Sequence, residues 1–191
     1  MAAEPQFAMN LRLGLWRKGI PSAHWSGQVA AWAGVSEERA EQLLRGEGAP
    51  IGSSEIDRIA SGIEQSADEL VHGDLLAEVD ILKENLRSLL STLPHGGQLE
   101  FAKAISVDPT TVSRWATGKF PPRRAPNLAA IRRYFHLPSF VDLNSTPLFL
   151  DMDPIGNLAK RQSLHDQLDG LSADELDALF PALRKLLAKR Q

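Results

Sequence analysis

None of the 191 residues is cysteine. That excludes disulfides, thiolate metal centres and thiol nucleophiles, and it fits a reducing compartment. The chain also lacks an apolar run approaching the ~20 residues that a membrane-spanning helix needs. Its opening stretch MAAEPQFAMN has no basic segment followed by an apolar core, so no secretory signal is expected. A cytoplasmic protein with no membrane partner is the expectation. Strand signals are missing too: there are no alternating β-branched runs joined by Asn-Gly or Asp-Gly turns. The usual marks of catalysis are equally scarce. The histidines (His24, His72, His95, His136, His165) are scattered and form no H-x-x-x-H or H-x-E pair. No P-loop, G-x-S-x-G or dinucleotide-binding glycine pattern occurs. Asp151 and Asp153 form a lone D-x-D that reads as a solvated turn. No enzyme, metal site or cofactor is therefore expected.

What is present is helical periodicity and unevenly placed charge. Hydrophobic residues make up 43% and charged residues 24%, the balance of a soluble globular protein. Residues 1–76 carry six basic residues against eleven acidic ones, a net of −5. Residues 83–150 carry nine basic against four acidic, a net of +5. The middle of the chain is thus the part suited to a polyanion.

Two stretches share a pattern at an offset of 72 residues. Ala30 falls on Ala102, Val35 on Val107, Ala40 on Val112, Leu43 on Trp115 and Gly46 on Gly118. Further on, Ile56 meets Leu128, Ile59 meets Ile131 and Ile63 meets Phe135. Apolar positions match while surface positions differ, as in a repeat with a shared core. Between the two, Leu75, Val79, Leu82, Leu86, Leu89 and Leu93 are spaced 4-3-4-3-4. This is either a dimerising coiled coil or the core stripe of one helix. The run falls short of three or four heptads, which favours the stripe, with Leu75–Leu82 extending that helix. After Asn144, NSTPLFLDMDPIGN reads as a linker or docking strap. Two more helices are expected beyond it. The second opens with a capping box at Ser172 to Glu175, and Pro181 kinks or splits it. Its apolar face, Leu176, Leu179, Phe180, Leu183, Leu186 and Leu187, either covers the main core or pairs with a second subunit.

The stretch Val107–Arg124, VDPTTVSRWATGKFPPRR, concentrates hydroxyls and positive charge around one Trp. Gln98 to Ile105 is a short helix. Asp108-Pro109 then starts another, because Asp caps free backbone N–H groups and Pro suits the first helical position. Val112 and Trp115 share a face and pack inward, which turns Thr110, Thr111, Ser113 and Arg114 outward or to the flank. Gly118 ends the helix.

The spacing Gln98, Ala102, Val107, Val112, Trp115, Gly118 resembles the helix-turn-helix of the Cro/CI (XRE) family of repressors, over residues 83–143 and more weakly over 8–74. The fold implied is all-α: two tandem lambda-repressor-like helix-turn-helix domains plus a helical C-terminal segment. The units are 1–74, 75–143 and 144–191. In proteins similar to this the second helix enters the major groove of double-stranded DNA. The resemblance places Pro109, Thr110 and Arg114 at base edges, with Arg114 suited to guanine O6 and N7. It gives phosphate contacts to Gln98, Thr111, Ser113, Lys119, Arg123 and Arg124. Asp108 stands where Ser or Thr is usual, and Pro109 offers no amide-type base contact, so direct readout is sparse. The implied protein is a transcription regulator, a repressor acting as a homodimer. The alternative is a protein-binding adaptor or antitoxin that reuses the fold. The first repeat supports that alternative: Glu37 and Glu38 align with Pro109 and Thr110, and its loop GEGAPIG has no cation. A protein partner is expected there, with Trp16, Trp25 and Trp32 as interface candidates, Trp32 being equally a candidate for the core.

Overall fold

The computed structural model describes residues 5–152, Ser172 and residues 179–181. The described chain is all-α, without strands. Its helices are α1 (Pro5–Arg17), α2 (Trp25–Ala33), α3 (Glu37–Arg45), α4 (Ser53–Ile63), α5 (Ala67–His72), α6 (Ile81–Ser91), α7 (Gly97–Ala104), α8 (Pro109–Ala116) and α9 (Ala125–Tyr134). Short 3-10 turns lie at Ser22–His24 and Leu148–Leu150. Ser172 is not helical, residues 179–181 are, and Leu179 and Phe180 are exposed. The rest of the expected C-terminal helices, the capping box beyond Ser172 and Asp153 lie outside the described residues.

Short polar side chains start these helices. The Ser36 hydroxyl accepts from Arg39 N at 3.2 Å and that of Ser66 from Glu69 N at 3.1 Å. Asp80 accepts from Lys83 N at 3.1 Å. Each such cap contributes about 1 kcal/mol by satisfying a donor that the helix leaves open. Asp80 also settles the leucine stripe. Residues 75–78 form a turn, Val79 a bend, and α6 begins only at Ile81, so the expected helical extension through Leu75–Leu82 does not form. Leu82, Leu86 and Leu89 are core residues of α6.

The backbone itself recurs at 72 residues. α2, α3 and α4 fall on α7, α8 and α9. The left-handed residues recur with them: Gly34 with Ser106, Gly46 with Gly118, Gly48 with Phe120 and Glu64 with His136. A Cβ makes this conformation costly by roughly 1–2 kcal/mol, and four of these eight residues, Glu64, Ser106, Phe120 and His136, carry one.

Each half buries its own core. The first gathers Phe7, Leu11, Leu15, Trp25, Val29, Leu43, Leu44, Ile59 and Leu70. The second gathers Leu86, Leu90, Phe101, Val112, Trp115, Ile131 and Leu143. Bulk is exchanged between them along one helix face. Trp25 and Val29 line the first core where Gly97 and Phe101 stand in the second. The large ring moves one helical turn, a swap that cores tolerate when total volume is kept.

Two buried asparagines close the halves. Asn10 Nδ2 donates to Leu70 O at 3.0 Å and Gly73 O at 2.8 Å. Asn85 Nδ2 donates to Leu143 O at 2.9 Å and Thr146 O at 2.7 Å, while its Oδ1 accepts from Phe149 N at 3.2 Å. Each side chain thus ties the first helix of its half to the carbonyls where that half ends.

The strap after Asn144 docks, and it does so at a seam between the halves. Phe149 and Leu150 are buried against Leu13 of α1, with Met9, Trp16, Leu75, Leu76, Val79 and Ile81 around them. Arg12 donates to Leu150 O at 3.2 Å; its burial lowers its pKa, partly offset by Asp151. Trp16 stacks tilted on Phe149 at 5.4 Å and donates through Nε1 to Glu84 of α6 at 2.9 Å. Trp16 and Trp25 therefore depart from the interface expectation, while Trp32 takes its alternative place at the core. Trp25 is 0% exposed and donates to Ile20 O at 2.7 Å. Trp16 belongs to the seam, and Trp32 is half-buried against the first core.

Candidate nucleic-acid interface

α7 and α8 meet through a tight turn. Val107 N donates back to Ala102 O at 2.9 Å, and Ser106 takes the left-handed conformation at φ 56°. Asp108 then accepts from Thr110 N at 2.7 Å, with Pro109 in the first helical position. Val112 and Trp115 sink into the core at 0% and 3% exposure and fix the roll of α8. At the far end Lys119 N donates to Arg114 O at 2.7 Å and Gly118 N to Trp115 O at 2.9 Å. Glycine at 118 suits the backbone above all. Its φ is +71°, and a Cβ there would lie 2.3 Å from Cε of Lys83, whose stem crosses from α6.

This roll decides what α8 shows. Pro109, Thr110, Ser113 and Arg114 are exposed, and Thr111 is half-buried on the flank. The Thr110 hydroxyl acts on the Asp108 carboxylate as well, lowering its pKa. Gln98 is exposed in the first turn of α7. Lys119, Arg123 and Arg124 are exposed in the loop that leads into α9.

Among the described residues, Arg114, Lys119, Arg123 and Arg124 form no ion pair. Other cations are occupied: Arg87 is held by Glu84 at 2.8 Å, and Arg132 donates to Ser139 O at 3.1 Å. Arg123 and Arg124 also sit at the N-terminal end of α9, the positive end of its dipole. Their placement disfavours the isolated fold and suits an external anion. Lys103 and Arg133 are further exposed cations on α7 and α9 that sequence reasoning did not single out. Charge was their only signal, and burial was needed to separate them from Arg132.

Asp108 gives the site a pH dependence. The Thr110 hydroxyl and then its backbone N–H hold the carboxyl below its usual pKa, and Arg114 adds a small pull in the same direction. A depressed folded pKa means the cap contributes above the unfolded value, near 3.9, and is lost as pH falls through the folded one. The stability difference between the native protein and Asp108→Asn, from urea midpoints, should be constant above pH ~5 and shrink below it. A difference that stays level down to pH ~2 would count against the carboxylate cap.

The equivalent surface of the first half is built otherwise. Glu37 and Glu38 are exposed in the first turn of α3, where they favour the helix dipole. Gln42, aligned with Arg114, accepts from Arg39 Nη1 at 3.4 Å. Arg39 also donates to Ala49 O at 2.6 Å and Pro50 O at 3.2 Å, which ties it to the loop. Arg45 is paired with Glu41. The cations of α3 are thus spent within the fold, whereas that of α8 is not.

No helix among the described residues is long and apolar enough to cross a membrane, and none of their acidic or histidine side chains cluster as a metal site would. Comparison with family models finds no match, and the same holds for comparison with curated proteins and with solved structures.

Proposed function

We propose that the protein is a sequence-specific DNA-binding regulator of the Cro/CI helix-turn-helix type, with α8 in the major groove. The observation that carries this reading is the contrast on α8 and its loop. Val112 and Trp115 anchor the helix while Arg114, Lys119, Arg123 and Arg124 stand exposed without carboxylate partners. Arg114 is assigned to a guanine edge, Thr110 to a thymine methyl group, and Pro109 to apolar contact beside it. Gln98, Thr111, Ser113 and the loop cations are assigned to phosphates. The protein would act as a repressor, as a homodimer on half-sites about one or two helical turns apart.

The test is titration of fluorescent duplexes, after selection of a preferred site, at several salt concentrations. Arg114→Ala should lose about 1–3 kcal/mol at the preferred base and relax specificity there. The double change Arg123→Ala, Arg124→Ala should weaken all duplexes alike and reduce the slope of log K against log salt by about 2. No effect from either variant would overturn the placement of α8.

The acidic α3 favours a second reading, an adaptor or antitoxin that holds a protein partner through its first half. A stoichiometric protein complex combined with no duplex retention at low salt would select that reading.

A further inference from the structure

Phe120 is the most exposed large apolar residue among those described, at 80%. It does so in a backbone conformation that is itself unfavourable. Its φ is +54°, and it precedes Pro121, which biases the preceding residue towards extended conformations. The corresponding residue of the first half is Gly48, for which a positive φ carries no such penalty. The ring belongs to none of the hydrophobic clusters. Two costs therefore stand without a packing return. Pro121 and a buried Pro122 follow the ring and restrict the backbone on its C-terminal side, which limits where the loop can carry it.

Charge identifies the occupant. Lys119 precedes the ring and Arg123 and Arg124 follow it, all exposed and without ion pairs among the described residues. An apolar ring set among cations suits a surface that alternates anionic groups with C–H faces. The sugar-phosphate backbone has that alternation, and the loop leaves the end of α8, where a helix lying in the major groove reaches the groove wall. We infer that Phe120 packs on a deoxyribose of that wall, between phosphates held by Lys119 and Arg124. The inference rests on the DNA-binding reading above and adds an apolar, salt-independent contact to it.

Phe120→Gly tests it, because glycine suits the local backbone and removes only the ring. The variant should keep or raise the thermal midpoint of the native protein. It should bind duplexes about tenfold more weakly whatever their sequence, with the salt slope unchanged because no counterions are involved. Affinity within twofold of native would overturn the inference while leaving the DNA reading intact. So would a lowered thermal midpoint, which makes the ring structural, or a changed slope, which makes it a support for the cations. Two further outcomes would also overturn it. A change in sedimentation would assign the ring to a second copy of the chain, and a Phe120-dependent rise in 2-aminopurine emission would assign it to unstacked bases. Failure of the native protein to bind any duplex at low salt would remove the DNA reading and the inference together.

Discussion

Trp115→Ala is expected to destabilise the second half by about 4 kcal/mol, the usual range for emptying a large aromatic site in a core that only partly collapses. The indole is 3% exposed and is the only tryptophan of its half, since Trp16, Trp25 and Trp32 all precede residue 74. That distribution makes the experiment readable. In urea the variant, studied with Trp16→Phe as well, retains Trp25 and Trp32, which report the first core, while circular dichroism reports all helices. The two probes should separate, with helicity lost first at low denaturant and fluorescence changing later. Coincident transitions would show instead that both cores melt as one unit. Duplex affinity should fall with the early transition, because α8 loses the anchor that sets its roll.

Asn85→Leu is expected to be comparably severe, although it adds apolar bulk to an apolar site. The side chain is fully buried and satisfies three backbone groups: the carbonyls of Leu143 and Thr146 and the N–H of Phe149. Leaving a buried polar group unpaired costs about 1–3 kcal/mol, so the loss should reach about 4 kcal/mol in urea unfolding. Phe149 and Leu150 should come loose with it, seen as binding of a hydrophobic dye below the main transition. Asn85→Asp should be no milder at neutral pH, because a carboxylate cannot donate to either carbonyl and adds a buried charge. A loss below about 1 kcal/mol in both variants would mean that the strap is held by its apolar residues alone.

The helices and the inward positions of α8 were legible in the sequence because period, cap and terminator agreed. Asp108-Pro109, Val112, Trp115 and Gly118 each pointed to the same local structure. Asn10 and Asn85 were not legible. They lie 75 residues apart rather than 72, because the connection from the first to the second helix differs in length between the halves. A single offset paired neither with the other. α1 begins at Pro5 and carries Asn10 in its interior, where a short amide side chain gives no sign of its partners 60 residues on. Trp25 misled for another reason. Its aligned residue is Gly97, and only the packed core shows that Phe101 supplies the missing volume one turn on. α5 escaped notice because six residues are too few for a periodic signal, although its capping pair, Ser66 and Glu69, was present. The freedom of Arg114 and the engagement of Arg39 depend on loop carbonyls, which leave no trace in residue spacing.

α1 serves two neighbourhoods at once: Leu11 and Leu15 face the first core, while Leu13 and Trp16 meet Phe149 and Glu84. A loose tether would let the two units tumble separately, but this shared helix makes them swing as one lever. The bearing of the acidic α3 relative to α8 is then fixed, so anything bound to either end would meet the other with its direction already chosen.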